Sequence, residues 1–234
     1  VLLAEGIEYV AFPFGDNWYY YSLREGFGLN ILKYVGRRVP CKRRTPFVNL
    51  GIHTPYELLN ASGDVSLWVR KAVWMGHTAL GICDRNTMGA TLALQKACDK
   101  AGIRPVIGYT CTLAHEGEKV EVKIYCQSQR GLRNLLRIQK AVMVDAADAT
   151  VSLPELLRRG EGNVLVFGKL APHWMGKNLH AVKALRETFD NVFYQVDLSE
   201  YKAERLDAEV LKATAHFFHT FYDERNDSFL VEPI

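Results

Sequence analysis

Hydrophobic and polar positions change rhythm at Pro46. Before it, the runs IEYVAFPF, NWYYYSL and LNILKYV are rich in aromatic and β-branched residues, and Gly15-Asp16-Asn17 and Gly26-Phe27-Gly28 punctuate them. That pattern predicts two or three antiparallel strands joined by turns. After Pro46, short apolar runs alternate with stretches of helical spacing. FVNLGI reads as a strand. DVSLWVRKAVWMG reads as a helix with Asp64 as N-cap and Gly76 as stop, in which Val65, Leu67, Trp68, Ala72 and Met75 can share a face. TALGICD is a second buried strand, TMGATLALQKACDKAG a helix ending at Gly102, and RPVIGYTCTL and EVKIYCQ a third and fourth strand. Helices are predicted at GLRNLLRIQKAVMV and LPELLRRG, a strand at NVLVFGKL, a helix at NLHAVKALRETF and a strand at NVFYQVDL. A long helix, KAERLDAEVLKATAHFF, and a last strand, FLVEPI, complete the pattern.

This succession is that of an α/β domain over residues 47–234, preceded by a β-rich extension over 1–46. Several strands are apolar on both faces, as in a parallel sheet covered by helices. The evenness of the units and the lack of a Gly-rich phosphate loop favour a closed barrel over an open sheet. In such barrels the chemistry lies at the C-terminal strand ends. Here those ends are His53, Asp84, Thr110 to Thr112, Lys169 and Asp197.

Composition narrows the functional classes. The balance of 29 Lys and Arg against 26 Asp and Glu gives a net charge of +3, too small to argue for nucleic acid by itself. The five cysteines form no C-x-x-C pair, which argues against a disulfide framework and a zinc knuckle and fits reduced thiols in a cytoplasmic protein. No apolar run reaches membrane-spanning length and no signal peptide is visible, so no membrane partner is expected. The chain opens without Met, as a fragment would. RRVPCKRR concentrates five positive charges in eight residues. Arg37, Arg38, Lys42, Arg43 and Arg44 are candidate nucleic-acid contacts, with Trp18 and Tyr19 to Tyr21 as stacking groups; the alternative is a solvated connector. His216 and His219 have the i, i+3 spacing of a metal clip, but HFFHTFY reads better as an aromatic core face. GEGN at 160–163 lacks the Lys-Ser/Thr of a phosphate loop, and Ser152 and Ser228 have no visible triad partners.

Three blocks carry a family resemblance. FVNLGIHTPYELLNASG resembles the run F-V-H-L-H-V-H-[ST]-x-Y-S-L-L-D-G that opens the PHP (polymerase and histidinol phosphatase) domain of bacterial DNA polymerase III alpha subunits. ALGICDRNTMGATLALQKACDKAGIRPVIGYTCTL resembles the next block, A-L-A-I-T-D-H-x-x-x-x-G-A-x-x-F-x-x-A-x-x-A-G-I-K-P-I-I-G-C-E-V. EVKIYCQSQRGLRNLLRIQ resembles a strand leading to N-x-x-G-Y-x-N-L-x-x-L, the block that separates the polymerase branch from free-standing phosphatases. The resemblance implies a distorted barrel of seven β/α units, (β/α)7, whose active members bind two or three divalent metals (Mn, Zn, Fe or Mg) that activate water for phosphoester hydrolysis. It also implies polymerase segments of the same parent protein, DNA and other replication proteins as partners. Residues 1–46 match no block.

Carried over residue by residue, the implied metal site is thinned. The H-x-H pair falls on Gly51 and His53, and Asn49 takes the place of the upstream histidine. The D-H pair falls on Asp84 and Arg85, and a fixed cation repels a metal ion. The glutamate of G-x-E falls on Thr110. His53 and Asp84 remain as metal-ligand remnants, too few for a hydroxide-generating cluster. The expectation is therefore a non-catalytic PHP domain bracing a polymerase, with no cofactor. The alternatives are a 3′-5′ exonuclease or phosphoesterase with an altered site, and a nucleic-acid-binding module. His53 is expected to pair with Asp84, or Asp84 to accept N–H groups from residues 85–88. Cys83 and Cys111 flank the site, and strand alternation turns Cys83 away from Asp84.

Overall fold

A computed structural model describes residues 47–168 and 171–195 in full. Outside them it describes the strand segments 2–4, 7–14, 17–22, 32–34, 222–223, 228–229 and 232–233. The expectations for RRVPCKRR (Arg37, Arg38, Lys42, Arg43 and Arg44), for Lys169, Asp197, His216 and His219, and for the long helix after Asp197 lie outside the described residues. So do those for the side chains of Trp18 and Tyr19 to Tyr21. The chain divides into two compact units, Val1–Pro46 and Phe47–Ile234.

The first unit holds β1 (Leu2–Ala4), β2 (Ile7–Phe14), β3 (Asn17–Ser22) and β4 (Leu32–Tyr34). They form an antiparallel sheet in chain order, with Phe14 paired to Asn17 across β2 and β3.

The second unit begins with α1 (Val65–Met75), β5 (Ala79–Ile82), α2 (Thr91–Ala101), β6 (Arg104–His115) and β7 (Glu118–Cys126). α3 (Gln129–Lys140) runs into a wider π turn at Ala141–Asp145. Then come β8 (Thr150–Ser152), α4 (Leu153–Leu157), β9 (Asn163–Phe167), α5 (Ala171–Lys177), α6 (Leu179–Thr188) and β10 (Asn191–Tyr194). β11 (Tyr222–Asp223), β12 (Ser228–Phe229) and β13 (Glu232–Pro233) follow.

The helix ends have local causes. The Asp64 side chain accepts the Ser66 N–H at 2.6 Å, and Gly76 closes α1 in the left-handed region. Gly102 ends α2 in the same way, and Ser128 caps α3 by accepting from Gly131 N at 3.0 Å. The buried stripe of α1 differs from the one predicted. Val65, Val69 and Ala72 are buried, while Leu67 (48% exposed), Trp68 (38%) and Met75 (48%) face outward. The 65-69-72 spacing forms a seam of small and β-branched side chains, which packs with Leu80, Ile82, Leu94 and Cys98 in one cluster.

The main sheet runs β13-β10-β9-β7-β6-β5, with β8 also on β6. It is mixed rather than all parallel. β5–β6, β6–β8, β9–β10 and β10–β13 are parallel, but β7 is antiparallel to both β6 and β9. β6 and β7 need no crossover helix. Glu116 (φ 49°) and Gly117 (φ 80°) make a two-residue turn between the paired residues His115 and Glu118. Two successive positive φ values match the twist of the flanking strands.

FVNLGI follows β5 without forming a regular strand. Gly81 N donates to Asn49 O at 2.7 Å, Ile52 N to Gly81 O at 3.3 Å, and Cys83 N to Ile52 O at 2.9 Å. The Asn49 side chain accepts the Gly51 N–H at 3.1 Å, a local bond that competes with ladder pairing. Gly81 permits the close approach, because a Cβ there would lie 2.7 Å from Leu50 Cα.

The two faces of this sheet differ. One is buried under helices, and its main cluster includes Tyr109, Cys111, Val122, Ile124, Leu135, Ile138, Leu165 and Phe167. The other gathers a smaller cluster of Cys83, Tyr125, Val164 and Val166, with Val106 and Phe193 against it. Strand alternation assigns the residues: Val164 and Val166 point one way, Leu165 and Phe167 the other.

Candidate functional site

The site lies where the segment ending at Ile52 and strand β5 both give way to loops. The parallel Ile52–Ile82 bridge aligns the two, so that Thr54 emerges beside Asp84, with His53 just before it. Asp84 is 1% exposed and faces away from Cys83, whose thiol belongs to the cluster with Tyr125. Its carboxylate accepts Thr54 N through Oδ1 at 2.5 Å and the Thr54 hydroxyl through Oδ2 at 2.6 Å. The expected bonds to N–H groups of residues 85–88 are replaced by this clamp, because Thr54 offers a backbone and a side-chain donor in one place. Charge-assisted bonds of this kind offset the cost of burying a carboxylate.

His53 does not pair with Asp84. Its Nδ1 lies 2.6 Å from Oε2 of Glu57, one helical turn further along the loop. Glu57 is 8% exposed, and no sequence argument singled it out. Its Oε2 also accepts Arg85 N at 2.8 Å, and its Oε1 accepts Asn60 Nδ2 at 3.2 Å. Burial pushes the Glu57 carboxyl up, but the Arg85 N–H and the His53 imidazole outweigh it and hold the group below the usual carboxylate range. Two features of the sequence could have marked Glu57: its i+4 spacing from His53, and its place in PYELLN, where the polymerase-type run has serine.

Arg85 turns its guanidinium to Glu121 on β7. Thr110 is buried, and its hydroxyl donates to Cys83 O at 2.8 Å. Thr110 N donates to Asp84 O at 3.0 Å, and Asn86 N donates to Thr110 O at 2.9 Å, extending the parallel pairing of β5 and β6 past the strand end. A Cβ on Gly51 would meet nothing within 4 Å. Cys83 and Cys111 are both fully buried, and burial pushes both thiols up. They lie in different clusters, so neither joins the group at the loop.

His53, Glu57 and Asp84 thus come together, each offering a ligand atom within 4.8 Å of the others. Two of the three were read from the sequence. The arrangement is a compact acid–imidazole group with Arg85 and Glu121 beside it.

The PHP domain family matches residues 49–174, a span that includes all of these positions. The DNA polymerase III subunit alpha of Bacillus subtilis (strain 168) is 31% identical over 99 residues, covering 41% of this chain and 9% of the relative. The subunit of Staphylococcus aureus (strain COL) is 32% identical over 120 residues, covering 51% of this chain and 11% of the relative. The matched stretches are thus about a tenth of the relatives' length. Among solved structures, an amidohydrolase from Chromobacterium violaceum is 9% identical with a TM-score of 0.46, covering 74% of this chain and 83% of the other. The motifs, the strand-end placement of His53 and Asp84, and the match across more than half of its residues establish that this chain belongs to the PHP domain family.

Proposed function

We propose that this chain is the PHP domain of a DNA polymerase III alpha-like protein, and that it braces the polymerase segments of its parent instead of hydrolysing phosphoesters. The observation that carries this reading is Arg85, paired with Glu121, at the place where the family pattern has a second metal ligand. A guanidinium stays charged throughout the working pH range, so it opposes a cation at that point. Gly51 supplies no side chain, and the Thr110 hydroxyl is committed to Cys83 O. Both oxygens of Asp84 already accept bonds from Thr54. The donor set does not fit a cluster of two or three metals.

In this reading the sheet curves into the distorted (β/α)7 barrel of the family, cytoplasmic like the replication machinery it serves, with DNA and other replication proteins as neighbours. Among the described residues no helix is long and apolar enough to cross a membrane. The test is metal analysis of the purified chain after exposure to Mn²⁺ and Zn²⁺, together with hydrolysis of a phosphodiester. Substoichiometric metal and no turnover are expected.

A second reading has one observation in its favour. His53, Glu57 and Asp84 could hold a single ion, since their ligand atoms lie within 4.8 Å of one another. Stoichiometric Mn²⁺ or Zn²⁺, lost on Glu57→Gln, would establish that reading and displace the scaffold.

A further inference from the structure

The face of the sheet that carries no helix among the described residues lines a cavity of about 760 Å³. It is lined by Val106, Tyr125, Val164, Val166 and Phe193, and by Leu50 of the segment beside β5. That size and apolar wall are those of a small-molecule pocket. None of His53, Glu57 and Asp84 lines it, so it is separate from the group at the loop. Gly51 does line it, and a side chain there would meet no neighbour within 4 Å, so the residue that weakens the family's metal site also leaves this cavity open.

Among the described residues the charges on the wall have one sign. Lys123 and Arg104 line the cavity, and no Asp or Glu does so among its described residues. Lys123 projects from the middle of β7 on the same face as Tyr125, and its ammonium donates to Oε1 of Gln195 at 2.6 Å. An ammonium has three donors, and Gln195 uses one. A half-buried cation over an apolar wall favours a ligand whose anionic group meets it.

We propose that this cavity binds a small apolar carboxylate or sulfonate, its hydrocarbon body against Tyr125, Val166 and Phe193 and its anionic group at Lys123. The proposal is independent of whether the loop group holds metal.

The test is a fluorescence titration of the intact chain with anilinonaphthalene sulfonate, competed with decanoate and with decanol. We expect saturable binding at one site per chain. Lys123→Met should weaken it about tenfold, the loss of one charge-assisted contact. Val166→Trp, which fills the cavity, should abolish it. Decanoate should displace the probe at concentrations where decanol does not. Thermal melting of both variants checks that they are folded. If Val166→Trp does not fold, Lys123→Met and the competition decide alone. Binding that fails to saturate, or that Lys123→Met leaves unchanged, overturns the proposal. Equal displacement by decanol and decanoate overturns its anionic half.

Discussion

The two faces of the central sheet have been put to different uses. Under the helices, alternate residues of β6, β7 and β9 are fully buried with apolar partners. On the other face the same strands carry Glu121, Lys123 and Tyr125, with Glu121 paired to Arg85 of the loop that follows β5. The difference teaches where this fold keeps its stability. Dense apolar packing on one face holds the strands in register, leaving the residues on the other free to change without loss of the fold. Gly51, Arg85 and Thr110 all lie outside the helix-covered cluster, so changes at these positions spare it.

The contrast is most exposed to failure at Leu165, which is fully buried under the helices. Leu165→Ala should cost about 2–5 kcal/mol in urea unfolding, the range for core cavities. Its neighbour Val166, on the other face, should cost clearly less on truncation to Ala. Equal losses would erase the distinction between the faces.

Asp84→Ala is the next largest. It leaves the Thr54 N–H and hydroxyl without their acceptor in a buried place, and should cost about 1–3 kcal/mol by the same measurement. A metal-dependent loss instead, seen only when Mn²⁺ is present, would return the site to the catalytic reading.

Glu57 gives a smaller effect with a distinct pH signature. Its carboxyl is held below its ordinary value of 4.5 in the folded chain, so the unfolded chain binds the proton more readily. The stabilisation is therefore complete above about pH 4.5 and is lost as pH falls through the lowered folded value. Glu57→Gln should flatten that part of the stability profile, measured by denaturation between pH 3 and 6 (about the carboxylate range). An unchanged slope would show that the group contributes nothing to acid sensitivity.

The smallest effect is expected at Gly51. With no neighbour within 4 Å of an added Cβ, Gly51→Ala should shift stability by no more than about 0.5 kcal/mol. Gly108→Ala is its counterpart, because there a Cβ would meet the Tyr125 ring at 2.6 Å and Ile82 O at 2.7 Å. That overpacking should cost about 1–3 kcal/mol.

Much of the second unit was legible from punctuation. Asp64, Gly76 and Gly102 mark helix ends because capping is local chemistry, written within a few residues. The strand cores at TALGICD and NVLVFGKL were legible for the same reason, as short apolar runs between helices. The outward face of α1 was not. Leu67, Trp68 and Met75 are as apolar as Val65, Val69 and Ala72, and only the neighbouring cluster decides which stripe is covered. The antiparallel β7 was hidden too, since a strand's direction depends on a turn whose signal is the pair Glu116–Gly117. At the site, His53 and Asp84 were found through the motif they share with the family. Glu57 was missed because it departs from that motif, and its partner Arg85 N belongs to a segment 28 residues away.

The two-residue turn at Glu116–Gly117 also bears on how the chain folds. It joins two of the longest strands of the unit, so the centre of the sheet is its most local part. Hairpins of this kind close in about 1–10 microseconds. The parallel pairings of β5, β8 and β10 must each wait for a longer loop to close. We expect β6 and β7 to be structured in the folding transition state, with high φ-values at the pair Leu113 and Val120 and low ones at Val192 on β10. The loop group of His53, Glu57 and Asp84 would then be assembled late, onto a sheet already in register.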